Sequence, residues 1–302
     1  MKLSLLTLTS TFLLLLTTAC GTSSSDTDVS ADSYTDGLSD VATEDGASID
    51  SATPDVEKDI PPIDWDAVFT KTPWDDDGKR RVVILHTNDL HSHLNGTGPL
   101  LDHTPEIIND DETRGGFARV GTILERVRRD LRPGASSITL DGGDFTSGTA
   151  FSALSRSVGV ELRLLDALGY AATTLGNHEM DWTPSGTAAI LENGLDDDSH
   201  IQVLASNLKF TDDSADDDLE NLMDSKLHRS RVVELDNGLK VGIFGLIGEG
   251  AFKLSPKATP VEIESPSDAA QAMVDQLRNV DGVDLVVAVS HGGVSEGSVK
   301  GE

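Results

Sequence analysis

The stretch Val82-Val83-Ile84-Leu85-His86-Thr87-Asn88-Asp89-Leu90-His91 joins an apolar, β-branched run to a cluster of polar side chains. Such a run predicts a buried strand, with the polar residues at its carboxyl end. Three later runs end in the same way, at Gly142-Gly143-Asp144, at Gly176-Asn177-His178-Glu179-Met180-Asp181 and at Ser290-His291-Gly292-Gly293. Open α/β sheets place their ligands at the carboxyl ends of strands, so the four clusters predict one shared site.

The residue types in these clusters predict a metal centre. Asp89 and His91 are two residues apart in a loop that leaves a strand, so their side chains can converge on one ion. Asp144, Asn177 and His291 add a carboxylate, an amide oxygen and an imidazole, a donor set without thiolate that suits Zn, Mn or Fe. Five donors exceed what one tetrahedral ion with an open position takes, which favours two ions bridged by a carboxylate. We assign that bridge to Asp144, and two-metal sites point to displacement at phosphorus.

Four short motifs, taken in this order, resemble those of the calcineurin-like metallophosphoesterases. They are Asp89-Leu90-His91, Gly142-Gly143-Asp144, Gly176-Asn177-His178-Glu179 and Ser290-His291-Gly292. The stretch that begins at His86, together with the one that ends at Asp181, resembles the 5′-nucleotidase branch of that family. The resemblance extends from about Arg80 to the last residue.

The resemblance implies a ligand set and a reaction. Asp89, His91 and Asp144 would hold one divalent ion, and Asp144, Asn177 and His291 would hold the other. Zn or Mn is expected first, with Fe and Co also compatible. The implied substrates are small-molecule nucleotides or other phosphate esters, including nucleoside monophosphates, UDP-sugars and cyclic nucleotides. A hydroxide that bridges the metals would attack phosphorus.

The resemblance also implies a catalytic dyad of His178 and Asp181. With Asn177 turned toward metal, its neighbour His178 lies at the rim, where an imidazolium can stabilise developing charge or protonate the leaving oxygen. Asp181 can accept a hydrogen bond from the other ring nitrogen, which orients the ring and raises its pKa. The sequence offers no Gly-x-Ser-x-Gly motif that would suggest a serine nucleophile instead.

The pattern between the motifs predicts alternating strands and helices. Apolar residues recur at helical spacing over residues 117–131, and again over residues 162–168 before Gly169, a predicted C′ residue. Asp236-Asn237-Gly238 separates two apolar runs and predicts a hairpin, so the sheets should not be purely parallel. The resemblance implies an α/β fold, a four-layer αββα sandwich of two mixed β-sheets flanked by helices.

The carboxyl-terminal end lacks two features of the family pattern. Family members continue past the Ser-His-Gly strand to a Gly-His-x-His-like or Gly-His-x-Gln-like segment with the last metal ligands, and then to a domain that grips the nucleoside. Neither occurs before Glu302. We therefore expect the sequence to be a fragment of a longer protein, with a fold that is incomplete at the C-terminus. A natural truncation without catalytic activity is the alternative.

The amino-terminal residues predict export. Lys2 precedes an apolar stretch over residues 3–16 and then Thr17-Thr18-Ala19-Cys20, which resembles a bacterial lipoprotein signal peptide with Cys20 as the lipidated residue. An ordinary secretory peptide with an incidental cysteine is the alternative. Residues 21–78 are polar and acidic and predict a disordered linker. The predicted organisation is a signal peptide over 1–20, this linker, and a metallophosphoesterase domain over 79–302, in a lipoprotein of the bacterial cell envelope.

The charge of the chain excludes one class of partner. The sequence carries 52 acidic and 23 basic residues, a net charge of −29. A phosphate backbone would be repelled, so no nucleic-acid polymer is expected to bind. Two other functions stay open on the same fold: a catalytically inactive, lipid-anchored binding protein, and a hydrolase of non-phosphate esters.

Several other polar residues allow a structural or a functional interpretation. His86 lies inside the first predicted strand and is expected to pack in the core. Asp141 is expected to cap a turn. Arg119 could reach a phosphate or lie on the surface, and Asn207, after a further predicted strand, could touch the edge of the site.

Overall fold

The computed structural model describes residues 79–96 and 114–292. Its strands are β1 Arg81–Thr87, β2 Ala135–Asp141, β3 Ala172–Thr174, β4 Gln202–Leu204, β5 Leu208–Lys209, β6 Leu227–His228, β7 Ser230–Glu234, β8 Lys240–Ile247, β9 Glu262–Ile263 and β10 Leu285–His291. Its α-helices are α1 Phe117–Arg129, α2 Ser155–Val158, α3 Val160–Ala167, α4 Asn177–Met180, α5 Thr183–Gly194, α6 Asp217–Glu220, α7 Glu249–Phe252 and α8 Pro266–Asn279. Ala150–Leu154 and Pro256–Ala258 form 3₁₀ turns.

Two sheets dominate the architecture. One has the strand order β1-β2-β3-β4-β6, and each of its described pairs is parallel. The other has the order β10-β8-β7, with β10 parallel and β7 antiparallel to β8. The mixed character therefore lies in the second sheet. Strands β5 and β9 form a separate antiparallel pair.

Alternation along the strands builds the layers. Ile138 and Leu140 of the first sheet pack against Val241, Ile243 and Val289 of the second, which forms an apolar core between the sheets. Residues of β8 with the opposite parity, among them Phe244, pack against α8. A third cluster joins α1, α3 and α5 to the other face of the first sheet. The order helices, sheet, sheet, helix confirms the predicted four-layer α/β sandwich.

A glycine sets the close approach of the two sheets. An ideal Cβ on Gly245 of β8 would overlap the carbonyl oxygen of Leu204 and lie 2.7 Å from Thr174 Oγ1. No side chain fits in that space, because real Cβ atoms do not approach other heavy atoms so closely. Gly245 therefore lets β8 lie directly against β3 and β4.

The local predictions for helices and the hairpin are confirmed. The periodic segment at 117–131 is α1, and α3 ends before Gly169, whose φ of 72° fits a C′ glycine. Strands β7 and β8 pair across Asn237, whose side-chain amide also donates to the carbonyl of Arg81 at 2.8 Å. The hairpin is thus attached to the start of β1.

The amino-terminal predictions fall outside the described residues. The signal peptide, Cys20 and the acidic linker all precede residue 79. Within residues 79–96 and 114–292, no helix is both long and apolar enough to cross a membrane.

Candidate metal site

The predicted ligands follow strand ends that meet at one edge of the sandwich. Asp89 and His91 follow β1, Asp144 follows β2, and Asn177 begins α4 just after β3. Since these three strands are parallel, their carboxyl ends lie at the same edge. His291 is the last residue of β10 and shares the parity of Leu285, Val287 and Val289, which face the first sheet. Strand alternation therefore directs His291 toward the other four.

The loops that carry these residues are held in unusual backbone conformations. Asp89, His91 and Asp144 have φ values of 54°, 46° and 54°, in the left-handed region that non-glycine residues rarely occupy. Each such residue costs on the order of 1–3 kcal/mol and persists only when its surroundings enforce it. Here the backbone N–H of Asp89 donates to Gly143 O at 3.0 Å and that of His91 to Asp144 O at 3.0 Å. The two loops thus fix each other, as expected at a functional site.

Two groups of potential ligand atoms lie close together in the described residues. One contains His91, Asp144 and His178, and the other contains Asp89, Asp144 and His291. Within each group the ligand atoms are all within 4.8 Å of one another. Asp144 belongs to both groups, which is the arrangement that a bridging carboxylate requires.

The two oxygens of Asp144 have different surroundings. Oδ1 accepts a hydrogen bond from the backbone N–H of His178 at 2.9 Å. Oδ2 lies 3.2 Å from His291 Nε2 and 4.0 Å from His91 Nε2. The side chain is only 4% exposed. One oxygen is therefore held by the backbone while the other faces the imidazoles of both groups.

The ring of His291 is oriented for ligation through Nε2. Its Nδ1 lies 3.0 Å from Gly142 O and must donate there, because a carbonyl can only accept. Its Nε2 faces Asn177 Oδ1 at 3.1 Å as well as Asp144. Burial lowers the pKa of His291, but the hydrogen bond and charge of Asp144 outweigh it and raise the pKa to about 9. Such concentrated negative charge favours a cation at this position.

Asp89 and His91 form the more exposed end of the group. His91 Nε2 lies 3.5 Å from Asp89 Oδ1, and Asn88 donates to the other oxygen of Asp89. The contact with His91 is the largest cause that lowers the pKa of Asp89, to about 2, although burial opposes it. The same contact raises the pKa of His91. The carboxylate of Asp89 and the imidazole of His91 are thus close enough to bind the same ion.

His178 and Asp181 occupy the rim. His178 Nδ1 lies 3.0 Å from Asp181 Oδ2, the contact expected of an oriented imidazole. The side chains are 37% and 34% exposed, so the pair is accessible to a ligand. The ring of His178 meets that of His91 edge to face, with centroids 5.0 Å apart. His178 is thus a member of the group with His91 and Asp144, and its Nδ1 is held by Asp181.

Asp141 does more than cap a turn. It accepts the N–H of Gly143 at 3.0 Å, as expected, but also the hydroxyls of Thr87 at 2.7 Å and Thr173 at 2.8 Å. Its side chain is fully buried. Burial raises its pKa to about 6, and the three hydrogen bonds oppose that rise. The carboxylate ties the ends of β1, β2 and β3 together beneath the site.

Other residues considered from the sequence lie outside the ligand groups. Asn207 is buried and clamps Ile247 through both backbone groups, at 3.0 and 2.9 Å, so it does not touch the site. Arg119 is exposed and donates to Gly115 O in its own turn. His86 is partly buried, and burial lowers its pKa, as expected for a packed histidine.

The residues present suit divalent cations. The donors are the oxygen atoms of carboxylates and of an amide and the nitrogen atoms of imidazoles. The described residues place no thiolate among them. His291 also has the backbone acceptor on its far nitrogen that metal-bound histidines usually have. The donor chemistry matches Zn, Mn or Fe.

Comparison with known proteins identifies the family. The calcineurin-like phosphoesterase family model matches residues 82–302, more than half of the chain. The chain belongs to the calcineurin-like phosphoesterases. This phosphoesterase is 29% identical to the 5′-nucleotidase of Homo sapiens over 220 residues and 25% identical to Protein UshA of Yersinia enterocolitica over 223 residues. These matches cover 73% of the chain and 35% of each relative, so the phosphoesterase spans about a third of the length of the curated relatives it matches.

Solved structures agree with that assignment. The 5′-nucleotidase precursor from Thermus thermophilus superposes with a TM-score of 0.55 at 27% identity, covering 70% of this phosphoesterase and 37% of the other chain. The NAD nucleotidase of Haemophilus influenzae gives a TM-score of 0.53 at 26% identity, covering 70% and 34%. The predicted family, with its likeness to 5′-nucleotidases, is confirmed.

Proposed function

We propose that this phosphoesterase is a dinuclear metal-dependent phosphohydrolase that acts on nucleotides. The single observation that carries the proposal is the position of Asp144, which belongs to two groups of ligand atoms and shares one of them with His178. A shared carboxylate supports two adjacent ions, and such pairs catalyse in-line displacement at phosphorus.

As the resemblance implies, Asp89, His91 and Asp144 would hold one ion, and Asp144, Asn177 and His291 the other. The contact of 3.5 Å between Asp89 and His91 supports the first set, although the close groups of ligand atoms pair Asp89 with His291 and His91 with His178 around Asp144. When bound, the ions supply Lewis-acid polarisation of a phosphoryl group and a nucleophile at neutral pH. Asp144 presents Oδ2 to both imidazoles while the His178 N–H restrains its Oδ1. The amide oxygen of Asn177 faces His291 at 3.1 Å and completes the second set without adding charge.

His178 would act on the substrate and Asp181 on His178. With Nδ1 held 3.0 Å from Asp181 Oδ2, the ring directs Nε2 away from that carboxylate. A proton on Nε2 could stabilise charge on the phosphoryl oxygens or pass to the leaving oxygen. The partial exposure of the pair leaves room for a substrate.

Nucleotides are the proposed substrate class because the relatives are named 5′-nucleotidase and NAD nucleotidase. The chain spans about a third of the length of those relatives, and the proposal covers nucleoside monophosphates, dinucleotides and nucleotide sugars as one class. The net charge of −29 disfavours a polymeric nucleic acid. A small nucleotide carries less charge and is repelled less.

A direct assay tests the proposal. The native protein, loaded with Mn²⁺ or Zn²⁺, is incubated with AMP, a UDP-sugar, a cyclic nucleotide and p-nitrophenyl phosphate, and released phosphate or nucleoside is measured. We expect hydrolysis that a chelator abolishes and added metal restores. Asp166→Asn is the control that retains activity, because Asp166 bonds the backbone just before the amino end of β4 and does not belong to the ligand groups. Two bound ions per chain without hydrolysis of any of these esters would contradict the proposal and favour a binding protein.

We also propose the domain organisation and location predicted from the sequence. Residues 1–20 would direct export, Cys20 would carry the lipid, and residues 21–78 would be a spacer between the membrane surface and the catalytic domain that begins at residue 79. The spacer composition, rich in Ser, Thr and Asp, supports this organisation because it offers little apolar surface to bury. The protein would then act in the bacterial cell envelope.

A further inference from the structure

Glu179 follows the candidate ligand Asn177 by two residues and is fully buried in α4. Its carboxylate accepts four hydrogen bonds. Oε2 accepts the backbone N–H groups of Asp144 at 2.9 Å and Gly176 at 2.8 Å. Oε1 accepts the N–H of Thr146 at 2.8 Å and its hydroxyl at 2.9 Å.

These partners exceed what helix capping requires. The bond to Gly176, the N-cap residue of α4, is the local half of a capping box, in which a glutamate at N3 reaches back to the N-cap backbone. The other three donors belong to Asp144 and Thr146, which are 35 and 33 residues away in the loop after β2. One carboxylate therefore bonds the loop that carries Asp144 and the loop that carries Asn177.

The loop after β2 and the loop after β3 are packed backbone against backbone. An ideal Cβ on Gly176 would overlap Asp144 Oδ1, and one on Gly143 would lie 2.8 Å from Gly176 N. The backbones thus touch directly, and Asp144 remains in the left-handed region with φ at 54°. Several backbone N–H groups of this junction point inward, away from water. A buried carboxylate that accepts them removes the cost of leaving them unpaired.

We propose that Glu179 is the positioning residue of this metal site: its carboxylate fixes Asp144 relative to Asn177, so that one carboxylate can serve both ions. The inference rests on the proposed function, since it treats these residues as ligands. Glu179 offers no free oxygen to an ion, because each of its two oxygens already accepts two hydrogen bonds. Its effect on metal passes through Asp144 and Asn177.

The test compares matched variants of the native protein. Glu179→Gln keeps the shape of the side chain but replaces one acceptor oxygen with an NH₂ group, which would face N–H donors. Asp166→Asn is the control. Asp166 Oδ1 accepts the backbone N–H groups of His200 at 2.6 Å and Ile201 at 2.8 Å, just before the amino end of β4 and away from the ligand groups. Both variants weaken a carboxylate that accepts backbone N–H groups from a segment 33 to 35 residues away.

Titration with Co²⁺, followed by its visible absorption, measures affinity and ligand geometry together. We expect Glu179→Gln to weaken the affinity for Co²⁺ about 10 to 100-fold, the usual effect of removing a hydrogen-bond partner of a metal ligand. The visible absorption spectrum of bound Co²⁺ should also change. Asp166→Asn should bind Co²⁺ within about twofold of wild type. Glu179→Asp keeps a carboxylate on a shorter side chain, so its affinity for Co²⁺ should lie between those of the wild type and Glu179→Gln. Equal affinity loss in Glu179→Gln and Asp166→Asn, at equal loss of stability to urea, would overturn the inference.

Hydrogen exchange in the metal-free protein gives a second measurement. The amides of Asp144, Thr146 and Gly176 should exchange slowly in wild type and faster in Glu179→Gln, while Asp166→Asn leaves them protected. Unchanged affinity or unchanged protection in Glu179→Gln would refute the positioning role even if the enzyme hydrolyses nucleotides. Conversely, a wild type that binds two ions without hydrolysis would refute the proposed function and leave the role of Glu179 standing on the affinity data.

Discussion

Asp144 Oδ2 lies 3.2 Å from His291 Nε2, although the two residues belong to different sheets of the sandwich. Asp144 follows β2 of the parallel sheet, and His291 ends β10 of the mixed one. Their contact joins the carboxyl ends of the two sheets at the candidate metal site. Removing either side chain should therefore lower the metal content of the protein, and to a different extent for each residue.

Asp144→Ala should remove both ions or nearly so, because Asp144 belongs to both groups of ligand atoms. His291→Ala should mainly weaken one ion, since His291 belongs to one group. Elemental analysis of the purified variants measures the metal content. His93→Ala is a suitable control, because within the described residues the ring of His93 bonds a backbone carbonyl, Leu90 O at 3.2 Å, and is in neither ligand group. Two tightly held ions in Asp144→Ala would end the bridging assignment.

His178→Ala should lower kcat about 10² to 10⁴-fold on a phosphomonoester, because a positioned acid typically contributes that much. Metal content should stay near wild type, since Asp89, His91, Asp144, Asn177 and His291 all remain. Steady-state kinetics with parallel metal analysis measures both. Asp181→Asn should give a smaller loss of kcat, because it orients the ring that is 3.0 Å away. Loss of the metals from His178→Ala would instead make His178 a ligand, consistent with its place beside His91 and Asp144.

Asp141 should make the metal-free fold less stable as pH rises. Its pKa is raised from 3.8 to about 6 in the folded protein, so the unfolded chain releases this proton first. Stability should fall between about pH 4 and pH 6 and level off above, by at most roughly 3 kcal/mol. The measurement is urea unfolding in chelator at several pH values, with Asp141→Asn as the reference.

The difference between these two proteins isolates the one carboxyl group, since their other titrating groups are the same. We expect the unfolding free energy of the wild type to fall relative to that of Asp141→Asn as pH increases. A gap that stays constant from about pH 4 to pH 7 would show that the pKa of Asp141 is not raised in the fold.

Gly245→Ala should destabilise the sandwich by about 1 to 3 kcal/mol, the usual cost of overpacking. The added methyl group would meet Leu204 O and Thr174 Oγ1 within 2.7 Å and push the sheets apart. Gly250→Ala is the matched control, because nothing lies within 4 Å of its ideal Cβ. Urea unfolding measures both variants. A loss for Gly250→Ala as large as that for Gly245→Ala would contradict the packing argument.

Cys20→Ser should release the protein from the membrane fraction. If Cys20 carries acyl chains, each buried CH₂ contributes about 0.8 kcal/mol, and two or three chains give stable attachment. The native protein should then partition into detergent and sediment with membranes after expression in a bacterium. The variant should be soluble or remain unprocessed. Equal partitioning of the two would reject lipidation.

The sequence by itself determined the features that local pattern encodes. Apolar runs before polar clusters located the strand ends, and Asp236-Asn237-Gly238 located the hairpin. The order of the four motifs indicated the family. These signals are readable because strand period, turn chemistry and motif spacing depend on neighbours in the chain.

Only the tertiary structure decided which residues support the site. Glu179 holds a loop 33 to 35 residues away, Asp141 ties three strands together, and Asn207 clamps Ile247 instead of reaching the site. Gly245 is required by a carbonyl on the other sheet. Each role depends on which buried donor or backbone happens to lie opposite the side chain. That partner is set by the packing of sheets and loops distant in sequence, which no local pattern specifies.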